Sequence, residues 1–170
     1  LNQILINEFC RNLQPTRNHE ILAKLPIQIF WTTNYDQLIE ASLRNAKKIA
    51  DVKYLKEHLT KCVPGRDSIV YKMHGDCENP DGAVLTRFDY EEYHLKMDDF
   101  LSALKGDINS KTFLFLGFSF TDPNIEYILS RVRVAYKGGQ REHFCIMKEV
   151  SDSEDDFEYT WSYFEETRSL

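Results

Sequence analysis

Short β-prone runs that lack polar alternation recur along this chain, and helical patterns separate them. The runs are 27–31, 68–73, 113–116 and 143–147, with 52–54 a further strand candidate in an ambiguous stretch. A strand with one wet face alternates apolar and polar residues; a strand buried on both faces does not. Helical spacing marks 1–14, a segment with Leu38, Ile39, Ser42 and Leu43, a segment from 99 to 104, and Ile125, Ile128, Leu129 and Val132. Thr86 with Asp89 reads as a capping box opening a helix through Tyr93, and Asp122-Pro123 reads as a helix start. The tail places Phe157, Trp161 and Phe164 on one helical face. Pro64-Gly65, Asn79-Pro80-Asp81-Gly82 and Gly138-Gly139 are breaks between elements. This alternation constrains the chain to an α/β fold with a parallel sheet.

A length of 170 residues is a prior for one domain. Hydrophobic residues at 42% and charged residues at 28% exclude a disordered, collagen-like or coiled-coil chain. No apolar run approaches the ~20 residues of a membrane helix, and the N-terminus does not read as a secretory signal. The chain opens at Leu1 without Met, so a fragment of something longer is expected. The formal net charge of -6 argues against direct nucleic-acid binding. Cys10, Cys62, Cys77 and Cys145 include no C-x-x-C pair, so no zinc ribbon and no metal are expected. Without a secretory context the four are expected as buried free thiols in a reducing cytosol. The Phe113–Leu116 run is expected in the core.

In open parallel sheets, ligands sit beyond the carboxyl ends of the strands. Three strands here end in polar or glycine-bearing segments: Thr32-Thr33-Asn34-Tyr35-Asp36, His74-Gly75-Asp76 and Gly117-Phe118-Ser119-Phe120-Thr121-Asp122. Histidine is a side-chain type that can act as a base near neutral pH, so His74 suits a general base. Gly75 lets backbone or ligand approach closely. Asn34 offers a donor and an acceptor for a hydroxyl, an amide or a water, and Asp36 an acceptor. Gly117 and Ser119 offer a backbone N–H and a hydroxyl to a nucleotide sugar. The plainer readings stand beside these. Asn34 and Asp36 also suit helix caps, His74 a rim histidine, Ser119 a turn, and Lys72 and Asp76 solvated or structural positions. His19, His58, His94 and His143 are expected at the surface.

At these segments the chain resembles the sirtuin-like NAD-hydrolase family, the sirtuin-related domains of bacterial antiphage defence proteins. Thr32-Thr33-Asn34-Tyr35-Asp36 is similar to the sirtuin T-Q-N-x-D pattern, His74-Gly75 to its H-G step, and Gly117-Phe118-Ser119 to its late G-x-S segment. The strings YKMHGD, VLTRFDYEEY and FLFLGFSFTDPNIEYIL resemble the defence-associated branch, and the resemblance covers roughly residues 27–136. It implies a Rossmann-like parallel sheet with helices on both faces, lacking its first Gly-rich strand-loop unit, over 1–150. A C-terminal helix over 151–170 would lead toward a further domain. It also implies cleavage of the nicotinamide–ribose bond of NAD in the cytoplasm. Asn34 and His74 would be catalytic, with Thr33, Asp36, Gly75, Gly117 and Ser119 contacting NAD. The implied partners are a homo-oligomer, other defence proteins or a phage-derived trigger. No G-x-G-x-x-G occurs before Gly65, so the phosphate loop is expected upstream, or the domain is a non-catalytic copy. An NAD-dependent protein deacylase and a non-catalytic nucleotide-binding module are the alternatives.

Overall fold

The computed structural model describes residues 2–11, 13–117, 126–127, 129–131 and 141–146. The chain divides into two compact units, 1–100 and 101–170. The expected helix start at Asp122-Pro123, the break at Gly138-Gly139, the tail helix and Ser119 lie outside the described residues. Of the helix expected around 125–132, positions 126–127 and 129–131 are described, and they are helical.

In the first unit the elements run α1 (Asn2–Phe9), α2 (Arg17–Lys24), β1 (Ile29–Thr32), α3 (Leu38–Asn45), β2 (Ala50–Lys53), α4 (Lys56–Leu59), β3 (Ser68–Lys72) and α5 (Arg87–Lys96). α1 stops at Phe9, earlier than the periodicity to residue 14 predicts. α2 has no counterpart among the expected elements. Its start is fixed by Thr16, whose amide donates to His19 Nδ1 at 3.2 Å. A one-turn 3-10 helix, Pro80–Gly82, occupies the expected turn. The capping box before α5 forms as expected: the Asp89 amide donates to Thr86 Oγ1 at 3.2 Å, and the Thr86 amide to Asp89 Oδ2 at 2.8 Å.

The three strands form a parallel sheet in the order β1-β3-β2. Ile29 pairs with Ile69 and Thr32 with Lys72 on one side of β3; Ala50 pairs with Ser68 and Lys53 with Tyr71 on the other. Because every strand runs the same way, all three carboxyl ends open on one rim. Beneath it, Ala23 of α2, Leu43 of α3 and Val70 of β3 form a buried cluster. Phe30, Ile39, Ala46, Ala50 and Val52 pack against that cluster. Burying a side chain such as Leu43 stabilises by about 1.5–3 kcal/mol, so these contacts tie two helices to the strand that carries the rim.

α6 (Asp98–Ser110) begins at the end of the first unit and continues into the second, where β4 (Leu114–Leu116) pairs in parallel with β5 (Phe144–Ile146). Here the sheet corrects one expectation. Leu114 and Leu116 are 50% and 42% exposed, so this part of the Phe113–Leu116 run is not core. Among the described residues, β4 has a single partner strand, and a two-stranded sheet covers few side chains.

The cysteines correct another. Cys10, just past α1, and Cys77, just past the β3 rim, form a disulfide with Cα atoms 5.7 Å apart. The fold brings together two residues separated by 67 positions, which spacing could not reveal. Cys62 and Cys145 are free, and Cys62 is exposed, not buried. Of the four histidines expected at the surface, His94 is exposed while His19, His58 and His143 are half-buried. Among the described residues no helix is long and apolar enough to cross a membrane.

Candidate functional site

β1 and β3 are hydrogen-bonded neighbours that end in step, and the Met73 amide extends their pairing by donating to Thr32 O at 2.9 Å. The segment Thr33-Asn34-Tyr35-Asp36 and the segment His74-Gly75-Asp76 therefore leave the sheet side by side. The first is a tightly held turn. The Asn34 amide donates to Thr32 Oγ1 at 3.0 Å, and Asp36 Oδ1 accepts from the Leu38 amide at 3.0 Å. The N-cap of α3 is Gln37, without a side-chain cap, so neither Asn34 nor Asp36 is the helix cap; the Asp36 carboxylate closes the short turn that leads into α3. Asn34 is exposed, and its side-chain amide makes no hydrogen bond among the described residues.

Tyr35 locks this turn to the second segment. Its carbonyl accepts from the Cys77 amide at 2.9 Å, and its hydroxyl donates to Val84 O at 2.5 Å. The Val84 amide in turn donates to His74 O at 3.0 Å. Gly75 makes that closure sterically feasible. Its φ is +93°, and a Cβ there would lie 2.9 Å from Ala83 Cα and 3.1 Å from Gly82 O. The close approach that glycine permits is by the chain's own backbone.

His74 is only 4% exposed and sits in an aromatic box. The Tyr90 and Tyr93 rings meet it edge-on at 5.2 and 5.9 Å, and the Tyr90 hydroxyl lies 3.4 Å from Nδ1. The Tyr93 hydroxyl donates to Met73 O at 2.9 Å. Both tyrosines come from α5, where i and i+3 share a face. Their i, i+3 spacing after the capping box was the sequence signal for this box.

Below the rim lies a buried charge cluster. Lys72 is 0% exposed, and its Nζ lies 2.5 Å from Asp76 Oδ2 and 3.2 Å from Glu40 Oε1. Burial raises the Glu40 carboxyl above the usual carboxylate range, and the nearby Lys72 charge only partly offsets this. Of the two readings of Lys72 and Asp76, the structural one holds. A lysine closing a mostly apolar strand was the available signal.

Thr33, Asn34, Asp36, His74 and Gly75 are thus gathered on one rim. Gly117 ends β4 in the second unit with φ +59°, a left-handed conformation that glycine adopts freely. The rim thus carries an exposed side-chain amide, Asn34, on one turn and a nearly buried imidazole, His74, on the next.

The first unit is a parallel three-stranded α/β sheet, consistent with a Rossmann-like fold, whose carboxyl rim carries a T-x-N-x-D turn and an H-G turn. The model of the SIR2-like domain matches residues 28–166, and the chain belongs to that family. The chain is 55% identical over 163 residues to the NAD(+) hydrolase ThsA of Bacillus cereus (strain MSX-D12), covering 96% of this chain and 34% of the relative. It is 52% identical to the NAD(+) hydrolase ThsA of Acinetobacter baumannii (strain 532279), over 94% of this chain and 34% of the relative. Defense-associated sirtuin 2 of Bacillus subtilis is 28% identical over 95% of this chain and 16% of its own length. The chain spans about a third of the length of these ThsA relatives.

Proposed function

We propose that this chain is the NAD-cleaving domain of an antiphage NAD(+) hydrolase, with Asn34 and His74 as its catalytic pair. The observation that carries the reading is the Tyr35 lock, which holds the Asn34 turn and the His74 turn in one frame on the sheet rim. The names of its relatives supply the reaction.

The chemistry follows from the groups present. Asn34 orients the nicotinamide ribose and a water. The C1′–N bond of NAD breaks, and nicotinamide leaves as a neutral molecule with the bonding pair. The water oxygen bonds to C1′, and its proton passes to His74, giving ADP-ribose. Positive charge develops on the ribose during cleavage, as in glycoside hydrolysis, and the acceptor-rich rim stabilises it. A positioned base contributes ~10²–10⁴-fold.

In this reading Thr33, Asp36 and Gly75 shape the nicotinamide end. The sheet is Rossmann-like with helices on both faces. The protein acts in the cytoplasm, without a metal, as an oligomer or with defence partners or a phage-derived trigger. The test is nicotinamide release from NAD by activated full-length protein. Folded Asn34→Ala and His74→Ala variants are expected to lose at least about 10²-fold. Parent-like rates in either would overturn the assignment. Strict dependence of release on an acetylated peptide would point instead to deacylation.

A further inference from the structure

We infer that Lys72 is a positioning residue for this site: its buried ammonium clamps the Asn34 turn to the His74 turn from beneath. The inference rests on the proposed hydrolase reading and adds a residue to it. Lys72 Nζ donates to Tyr35 O at 3.1 Å and to Asp36 O at 2.6 Å, the two carbonyls that immediately follow Asn34. The same nitrogen donates to Asp76 Oδ2 at 2.5 Å, two residues past His74. Asp76 is itself held by Gln37 Nε2 at 3.0 Å and by the Glu78 amide at 2.9 Å. One cation thus joins both catalytic turns to the start of α3.

The energetics favour a geometric role. A buried ion pair is often no more stabilising than an apolar replacement of similar volume, because desolvation offsets the attraction. What an apolar residue cannot do is donate to two consecutive backbone carbonyls and a carboxylate at once. Without those donors the turn loses the ammonium that bonds both carbonyls after Asn34, and these peptides gain room to shift while the Tyr35–Val84, Tyr35–Cys77 and Asp36–Leu38 bonds remain. A misplacement of about 1 Å in a positioned group costs ~10²-fold in rate.

The test uses activated full-length protein and two variants. Lys72→Met removes the donors but leaves Glu40 and Asp76 facing no cation. Lys72→Met/Glu40→Gln removes the second buried charge as well and serves if the single variant does not fold. In a variant shown folded by circular dichroism and thermal melting, kcat is expected to fall about 30–100-fold. KM for NAD should stay within about threefold. Hydrogen exchange should quicken over 33–38 while β2 and the core face of α3 keep parent rates. A kcat within threefold of the parent, or a rise in KM with kcat unchanged, overturns the clamp. So does exchange that quickens equally across the whole first unit, the mark of a merely structural role. If the parent itself releases no nicotinamide, the hydrolase reading fails separately. Exchange then decides the clamp alone: local quickening over 33–38 upholds it, and unchanged exchange there overturns it.

Discussion

The Tyr90 hydroxyl stands 3.4 Å from Nδ1 of His74, on a helix whose next inward residue, Tyr93, is bonded to the carbonyl just before that histidine. The two tyrosines hold the imidazole by one polar contact and two ring edges. If Tyr90 accepts from Nδ1–H, the opposite ring nitrogen is left as the base. Tyr90→Phe keeps the ring contact and removes only the hydroxyl. One net hydrogen bond is worth about 1 kcal/mol, so kcat for NAD cleavage should fall about five- to tenfold with the melting temperature little changed. Steady-state kinetics on the full-length protein checks this; an unchanged kcat would remove Tyr90 from the site.

Among the described glycines, Gly75 is the one where an added Cβ would meet backbone most closely. Gly75→Ala must adopt a positive φ and push its Cβ against Ala83 Cα, a backbone atom that cannot rotate away. The expected cost is about 2–4 kcal/mol of stability, from the strained backbone and the contact together. Denaturant melts should show it, and activity should fall as well because His74 is the preceding residue. A variant as stable as the parent would mean that the 74–84 closure is softer than its geometry implies.

Much of this arrangement was legible in the chain, and the reasons differ by element. The parallel sheet was readable because strands covered on both faces lose their polar alternation. The capping box at Thr86 and Asp89 was readable because it is a local pattern of side chain and backbone. The rim residues followed from the strand ends. The Cys10–Cys77 disulfide and the Lys72 clamp were not readable, since each depends on which distant segments the topology brings together. α2 carries little sequence signal because its apolar residues are few and its cap uses a histidine at N3. β4 misled for the opposite reason: four apolar residues in a row signal burial only when a sheet face covers them.

Asp51 offers a pH-dependent signature in β2. Burial alone would raise its carboxyl, but hydrogen bonds from Lys53, Arg66 and the Val63 amide outweigh this and hold it below the usual value of 3.8. Lys53 Nζ lies 2.7 Å from Oδ1 and Arg66 Nη1 2.6 Å from Oδ2. A carboxyl whose folded value is depressed contributes stability in full above its unfolded value. That contribution is lost as the pH falls through the lower folded value. The stability advantage of the parent over Asp51→Asn should therefore hold near neutral pH and shrink below about pH 4. Urea titrations across that range test it; an advantage that grows on acidification would contradict the sign.

The Cys10–Cys77 bond closes a loop across 67 positions and anchors the end of α1 three residues past His74. Cross-linking so distant a pair restricts the unfolded chain, with a stabilising effect of typically about 2–4 kcal/mol. Cys10→Ala is the informative variant, because Cys77 is fully buried and its replacement would disturb packing as well. In non-reducing buffer Cys10→Ala should unfold about 2–4 kcal/mol more easily than the parent. Added reductant should bring the two together, since the parent then loses the same link. Equal stability of parent and variant in non-reducing buffer would show that the cross-link does not form in solution. A gap that survives reduction would assign the effect to packing of Cys10, not to the bond.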